Sequence, residues 1–197
     1  MTLMRHGRSR ADDEQVHEGR YDSPLTDVGR AQVRSQAKEW KHSGVTFDLI
    51  VASTLSRASE SARIVGEVLG GPIEYDADWM ERDTGPLAGV PFDIAEERYS
   101  RPNFANPFQP YETSTGEGES GWDLVARAAR ALQRVVRRGR HSTLVVAHGG
   151  IINAALHSML GLPPGAGVRF AFGDACYVRA SYNPSRHLWT IREMSAI

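Results

Sequence analysis

Short runs of apolar residues alternate along the chain with longer stretches in which apolar positions recur every three or four residues. The runs that begin at Leu3, Phe47 and Thr143 are continuous, which is typical of strands buried on both faces. The stretches 122–136 and 151–160 carry the helical period and predict amphipathic helices. Strands that alternate with helices predict an α/β protein: a three-layer α/β/α sandwich with a mainly parallel central sheet.

Capping and turn residues bound the other predicted elements. Thr26 is a candidate N-cap for a helix that runs to about Trp40. The hydroxyl-rich segment 53–57 predicts the start of a second helix, which Gly70-Gly71-Pro72 ends. A short strand is predicted near 73–75, and two or three more strands near 168–172, 175–182 and 188–193 complete the chain.

Three polar stretches interrupt this alternation. Arg8 to Ser23 is predicted to be a loop over the mouth of a site, and Trp79 to Gly89 is a loop punctuated by glycine. Of all the regions of the chain, 91–121 has the sequence least typical of a buried core. We interpret it as a partial lid that contains a short helical piece at 94–99. Nothing in the sequence suggests a linker, so residues 1–197 are expected to form one domain.

Composition narrows the class of protein. The 197 residues carry a net charge of −1, so no global field recruits nucleic acid. Only two basic residues are lysine, and the arginines suit phosphate as well as surface ion pairs. One cysteine excludes an internal disulfide, and no apolar run approaches the roughly 18 residues of a membrane span. We therefore expect a cytoplasmic protein with no membrane or nucleic-acid partner; its oligomeric state is not readable.

Candidate chemistry lies where two of the predicted strands end. Arg5 and His6 close the first run before Gly7, and His148 closes the late run before a second glycine pair. If these strands are neighbours, the two histidines face each other at the carboxyl edge of the sheet, where α/β proteins place their ligands. Arg57 lies at a predicted helix start, which is a ready anion site.

The chain resembles the histidine phosphatase superfamily, also called the phosphoglycerate-mutase-like family. Six segments carry the resemblance, in family order: Arg5-His6-Gly7, the Pro24-Leu25-Thr26 segment up to Gln32, Ser53 to Ala58, Glu81 to Gly89, Gly118-Glu119-Ser120, and the late His148-Gly149-Gly150. The resemblance implies a phosphoglycerate-mutase-like fold, no cofactor and no metal, and a small phosphorylated substrate.

The same resemblance implies a role for particular residues. His6 would be the nucleophile that becomes phosphohistidine, and Glu81 would be the proton donor. Phosphate would be bound by Arg5, Arg57 and His148, while Gly19 and Arg20 align with a loop that contacts the substrate beyond its phosphate. Asp12 departs from the family, in which asparagine is common at this position. A carboxylate there would repel phosphate unless it is turned away or paired with an arginine.

Three activities fit these residues. We favour a metal-independent phosphomonoester hydrolase, because Gly89 is followed by Val90-Pro91-Phe92 rather than the Asn-Lys of related mutases. A cofactor-dependent phosphoglycerate mutase is the alternative, and a non-catalytic phospholigand-binding protein is the second. The substrate stays open, since two sets of residues in the lid region predict different partners: an acidic one for Arg82, Arg98 and Arg101, or an aromatic subsite formed by Tyr99, Phe104, Phe108 and Tyr111.

Overall fold

A computed structural model describes residues 1–99 and 108–195 of the chain. Arg101 and Phe104, and part of the predicted 91–121 lid, lie outside the described residues. The strands are β1 (Thr2–Arg5), β2 (Leu49–Ala52), β3 (Ile73–Tyr75), β4 (Thr143–Ala147), β5 (Tyr177–Asn183) and β6 (Leu188–Met194). The α-helices are α1 (Arg10–Glu14), α2 (Asp27–His42), α3 (Ser56–Leu69), α4 (Phe92–Arg98), α5 (Gly121–Arg137) and α6 (Gly149–Leu160). Short 3-10 helices cover Ala77–Trp79, Gly85–Leu87 and Gln109–Tyr111.

The six strands form one sheet in the order β3-β2-β4-β1-β5-β6. The first four strands of that order run parallel; β5 pairs antiparallel with β1, and β6 pairs antiparallel with β5. Helices α5 and α6 pack on one face of the sheet and α2 and α3 on the other, each over its own buried apolar cluster. The predicted α/β fold with a mainly parallel sheet and helices on both faces is therefore confirmed.

Alternate side chains of β1 enter opposite clusters. Leu3 is fully buried on the face of α5 and α6, and Met4 on the face of α2 and α3. A strand covered on both faces reads as a continuous apolar run. This is why β1, β2 and β4 are visible in the sequence.

One predicted strand is wrong. The segment 168–172 makes no ladder, because side chains satisfy its backbone instead: Asn153 bonds both the N–H (2.8 Å) and the carbonyl (2.9 Å) of Phe170. An arginine of β1, Arg5, donates to the carbonyl of Phe172 at 2.9 Å. Backbone N–H and carbonyl groups need hydrogen-bond partners, and here side chains supply them.

Two helix starts differ from the prediction. The loop 8–23 contains α1, which Ser9 and Asp12 cap reciprocally. Helix α3 begins after Leu55 with no side-chain cap, so the hydroxyls of 53–57 do not cap it as predicted. The N-cap at Thr26 is confirmed by its bond from the Gly29 N–H. None of the helices in the described part of the chain is long and apolar enough to cross a bilayer.

Candidate active site

The two candidate histidines meet because their strands are neighbours. Arg5 of β1 pairs in register with Ala147 of β4, and the His6 N–H donates to the Ala147 carbonyl at 3.0 Å. His6 and His148 each follow directly after their strand, and their ring centroids lie 5.0 Å apart. Both side chains are fully buried. The expectation that they face each other at the carboxyl edge of the sheet is confirmed.

His6 is held in one tautomer. Its Nδ1 lies 2.7 Å from the Gly7 carbonyl, which can only accept, so Nδ1 carries the proton and the lone pair is on Nε2. Burial, and then the positive charges of Arg57 and Arg5, lower the pKa of His6 well below its usual range. The ring is therefore neutral at physiological pH, and its unprotonated Nε2 is a hydrogen-bond acceptor.

His148 is fixed from the opposite side by a serine. Its Nε2 lies 2.8 Å from Ser53 Oγ, while its Nδ1 is buried and has no hydrogen-bond partner. Burial, and then Arg57 and His6, lower the pKa of His148 well below its usual range. When Ser53 donates to Nε2, Nδ1 carries the proton and is free to donate to an anion. The sequence predicts only a helix-capping role for Ser53, not this contact with His148.

Arg57 lies fully buried beside His6. Its Nε donates to His6 Nε2 at 3.2 Å, and its two Nη atoms donate to the carbonyls of Tyr21 (2.8 Å) and Gly19 (2.9 Å). Gly19 has φ +46°, and a Cβ there would collide with Thr84 Oγ1. The structure thus places the Gly19 backbone against Arg57, which it orients.

Arg5 is shared between the crevice and two aspartates. Its Nη2 lies 3.3 Å from Asp12 and 3.4 Å from Asp174. Asp12 is therefore paired with an arginine, one of the two arrangements that its departure from the family pattern requires. Burial raises the pKa of Asp174, although Arg5 opposes that rise.

Glu81 is held at the N-terminus of α6. Its Oε2 accepts the Gly150 N–H at 2.8 Å, and its Oε1 accepts the N–H groups of Ile151 (3.0 Å) and Arg82 (2.8 Å). A helix N-terminus favours a negative group at this position. A Cβ on Gly150 would collide with the Glu81 carboxylate, so the second glycine after His148 is what allows this approach.

Sequence reasoning missed the arginine that positions Glu81. Arg127 of α5 is almost fully buried and pairs with both oxygens of Glu119 at 2.6 Å. It also donates to the carbonyls of Asp78, Met80 and Glu81. Burial acts to raise the pKa of Glu119, but hydrogen bonds from Arg127 and the Asp83 N–H outweigh it and lower that pKa.

Arg20 points towards the same loop. Its guanidinium lies 3.1 Å from Asp83 and 3.5 Å from Glu119, outside the set of residues that line the crevice. Arg20 thus joins the loop after β1 to the loop that carries Glu81. Its contact with substrate stays a prediction.

A crevice of about 170 Å³ lies beside Arg5 and Glu81. Its walls come from β1, the loop after it, the start of α6 and the segment 168–172: Arg5, Glu18, Glu81, Gly149, Gly150, Asn153, Arg169, Phe170 and Phe172. The described members of the two predicted substrate sets, Arg82, Arg98, Tyr99, Phe108 and Tyr111, are not among them. Glu18, Asn153 and Arg169 were not singled out from sequence, although Glu18 directly precedes Gly19.

A larger cavity, of about 390 Å³, lies at the opposite end of the strands, beside Met1, Thr143 and Trp189. Its lining includes neither Arg5 nor Glu81, which both line the smaller crevice, so we place the site in the smaller crevice. Within residues 1–99 and 108–195, no group of three or more histidine, cysteine or carboxylate side chains is arranged to hold a metal ion.

Comparison with known proteins agrees with this geometry. The family model described as histidine phosphatase superfamily (branch 1) matches residues 1–196. The chain belongs to the histidine phosphatase superfamily.

Individual relatives of this superfamily member carry two kinds of name. A 2,3-bisphosphoglycerate-dependent phosphoglycerate mutase of Methylobacterium sp. (strain 4-46) is 34% identical over 170 residues, which is 82% of this chain and 81% of the relative. Among solved structures, a putative alpha-ribazole-5'-P phosphatase from Escherichia coli superposes with a TM-score of 0.86 at 23% identity, covering 99% of this chain and 95% of the other. A mycobacterial glucosyl-3-phosphoglycerate phosphatase has a TM-score of 0.83 at 23% identity, covering 100% and 99%. These likenesses support the fold and leave the activity open.

Proposed function

We propose that this protein hydrolyses a phosphomonoester of a small metabolite through a phosphohistidine at His6. The observation that carries the proposal is the state of the His6 ring. Nδ1–H is bound to the Gly7 carbonyl, and the neutral Nε2 lies beside Arg57 and close to the second imidazole. An in-line attack on phosphorus needs this combination of lone pair and surrounding positive charge.

The reaction has two steps. In the first, His6 Nε2 forms a bond to phosphorus, the ester P–O bond breaks, and the leaving alcohol takes a proton from Glu81, whose carboxylate receives that proton from a monoanionic phosphoester as the substrate binds. In the second, water attacks phosphorus, the P–N bond breaks, and Glu81 takes the proton from that water. Arg5, Arg57 and the Nδ1–H of His148 stabilise the phosphoryl oxygens during both steps.

A phosphoglycerate mutase is the second candidate, because the most similar curated relatives carry that name at 30–34% identity. A mutase must hold a second phosphate while the first is on the histidine. Among the residues that line the crevice, Arg5 and Arg169 are cationic whereas Glu18 and Glu81 are anionic. This balance offers little to a second phosphate and supports the hydrolase.

Phosphate release from a panel of phosphomonoesters, with EDTA present, tests the proposal. The wild type should release phosphate, and His6→Ala should abolish release while the protein stays folded. The panel includes 3-phosphoglycerate, with formation of the 2-isomer followed in parallel. Isomer interconversion stimulated by a bisphosphoglycerate primer, without phosphate release, would establish the mutase instead.

A further inference from the structure

Glu18 lies where a phosphoryl group would have to bind. Its Oε2 is 3.7 Å from His6 Nε2, and its Oε1 is 3.3 Å from Arg57 Nε. The Ser9 hydroxyl donates to Oε1 at 2.5 Å and holds the carboxylate in place. His6 and Arg57 are both fully buried, whereas 16% of the Glu18 side-chain surface is exposed to solvent and lines the crevice.

A phosphoryl group on Nε2 would place its oxygens within hydrogen-bond distance of the Arg57 guanidinium. The Glu18 carboxylate already occupies that side of Arg57, and two anions cannot share it without strong repulsion. We propose that Glu18 is a built-in competitor of phosphate: its carboxylate fills the anion site of the free protein and is displaced when substrate binds. The inference rests on the proposed phosphoryl site at His6.

Displacement takes place by rotation of the side chain, because the backbone on both sides is held. The His17 N–H and carbonyl bond to Val90 and Gly89, at 2.9 and 2.7 Å. After Glu18, the Gly19 carbonyl accepts from Arg57. The carboxylate can therefore leave the site without opening the loop.

The remaining charges make Arg57 the cation for which Glu18 and phosphate compete. Arg5 is already paired with Asp12 and Asp174, at 3.3 and 3.4 Å. On the far side of the crevice, Glu81 adds a further negative charge at the start of α6. In the free protein, carboxylates thus already balance the positive charge of Arg5 and Arg57 that an incoming anion would need.

This arrangement separates substrate from product. A substrate brings its phosphoryl group together with an alcohol part that contacts the wall near Asn153 and Arg169, and that contact offsets the displacement of Glu18. Inorganic phosphate has no such part, so Glu18 expels it. Glu18 is accordingly a specificity-determining residue that weakens product inhibition.

Titration of the purified protein with inorganic phosphate by isothermal titration calorimetry tests the inference. Glu18→Gln keeps the shape of the side chain and removes its charge, so it should bind phosphate at least about tenfold more tightly than the wild type. Glu14→Gln is the matched control, because Glu14 is an exposed carboxylate of the same segment that pairs with Arg10. Its phosphate affinity should equal that of the wild type.

The outcomes separate this inference from the proposed function. Equal or weaker phosphate binding by Glu18→Gln, or no binding by either protein at tens of millimolar, overturns the competitor role. Tighter binding supports it even if no ester is turned over, since calorimetry reports binding alone. If Glu18→Gln does not fold, Glu18→Asp withdraws the carboxylate by one methylene and should also tighten binding, by a smaller factor; unchanged affinity there overturns the role.

Discussion

At the scale of single residues, the site depends on close approaches that only particular side chains permit. Gly150 lets the Glu81 carboxylate reach the first N–H groups of α6, and Ser53 fixes the second imidazole. Neither function is visible in a hydrophobic pattern. Both depend on which atoms the fold brings within 3 Å.

Gly150→Ala tests the position of Glu81. The new Cβ would collide with the carboxylate, which is the end of a flexible side chain, so Glu81 moves while the helix gains a better helix former. Hydrolysis of alkyl phosphates should fall about 100-fold, as when a general acid is lost. The melting temperature should stay within a few degrees of the wild type.

The leaving group provides the control for that variant. Nitrophenyl phosphate releases nitrophenolate, which needs no proton from an acid. Its hydrolysis rate should therefore fall much less than that of an alkyl ester, both in Gly150→Ala and in Glu81→Gln. Equal slowing of the two esters would exclude Glu81 as the acid.

At the scale of elements, α5 supports the site through a buried ion pair. Arg127 joins this helix to Glu119 and to three carbonyls of the loop that leads to Glu81. Removing one partner of a buried pair leaves the other without compensation. Helix α5 thus anchors the Glu81 loop, a role that its amphipathic pattern does not indicate.

Arg127→Leu should lower the free energy of unfolding by about 3–5 kcal/mol. It should also reduce kcat, because the Glu81 loop loses its anchor. Arg134→Leu on the same helix is the control: Arg134 is 41% exposed and pairs with Asp76 and Asp78, so its loss should cost about 1 kcal/mol or less. Urea unfolding measures both variants, and similar losses for the two would contradict a special role for Arg127.

Sequence predicted the buried strands well, because burial on both faces leaves continuous apolar runs in β1, β2 and β4. It failed where side chains replace a ladder, as Asn153 does for the segment 168–172. It also missed α1, which is only five residues long and depends on the Ser9 capping box. Both errors arise because tertiary or very local contacts decide these structures, and such contacts do not appear in the hydrophobic periodicity.

For the site, the predicted strand ends placed His6 and His148 at one edge of the sheet, and the family resemblance added Arg57 and Glu81. The structure places Arg57 against His6, and Glu81 at the helix start that follows His148. The resemblance could not separate Arg127 from the exposed arginines of α5, since all follow the same helical spacing. Nor did it indicate Glu18, a charged residue in a loop, whose position against Arg57 depends on how that loop folds back.

At the scale of the whole molecule, the buried histidines link stability to pH. Burial lowers the pKa of both His6 and His148, so the folded protein binds fewer protons at these rings than the unfolded chain does. Their stabilising contribution is complete above the unfolded value, about pH 6.5, and is lost progressively as the pH falls below it.

Urea unfolding between pH 5 and 7.5 measures this linkage. Each ring should contribute up to about 1.4 kcal/mol per pH unit below pH 6.5. His6→Asn should therefore show a shallower loss of stability towards acid than the wild type. His42→Asn, which removes an exposed histidine, should keep the full slope; identical slopes in all three proteins would contradict the linkage.

The central place of β1 in the sheet has a consequence for biosynthesis. Both of its neighbours, β4 and β5, are translated roughly 140 to 175 residues after it. Strand β1 thus has no partner in the sheet until roughly 140 further residues have been made, and pairing across such a separation is slow. Until then the nascent chain carries an unpaired apolar strand, and the strand pairing that brings His6 beside His148 has not formed.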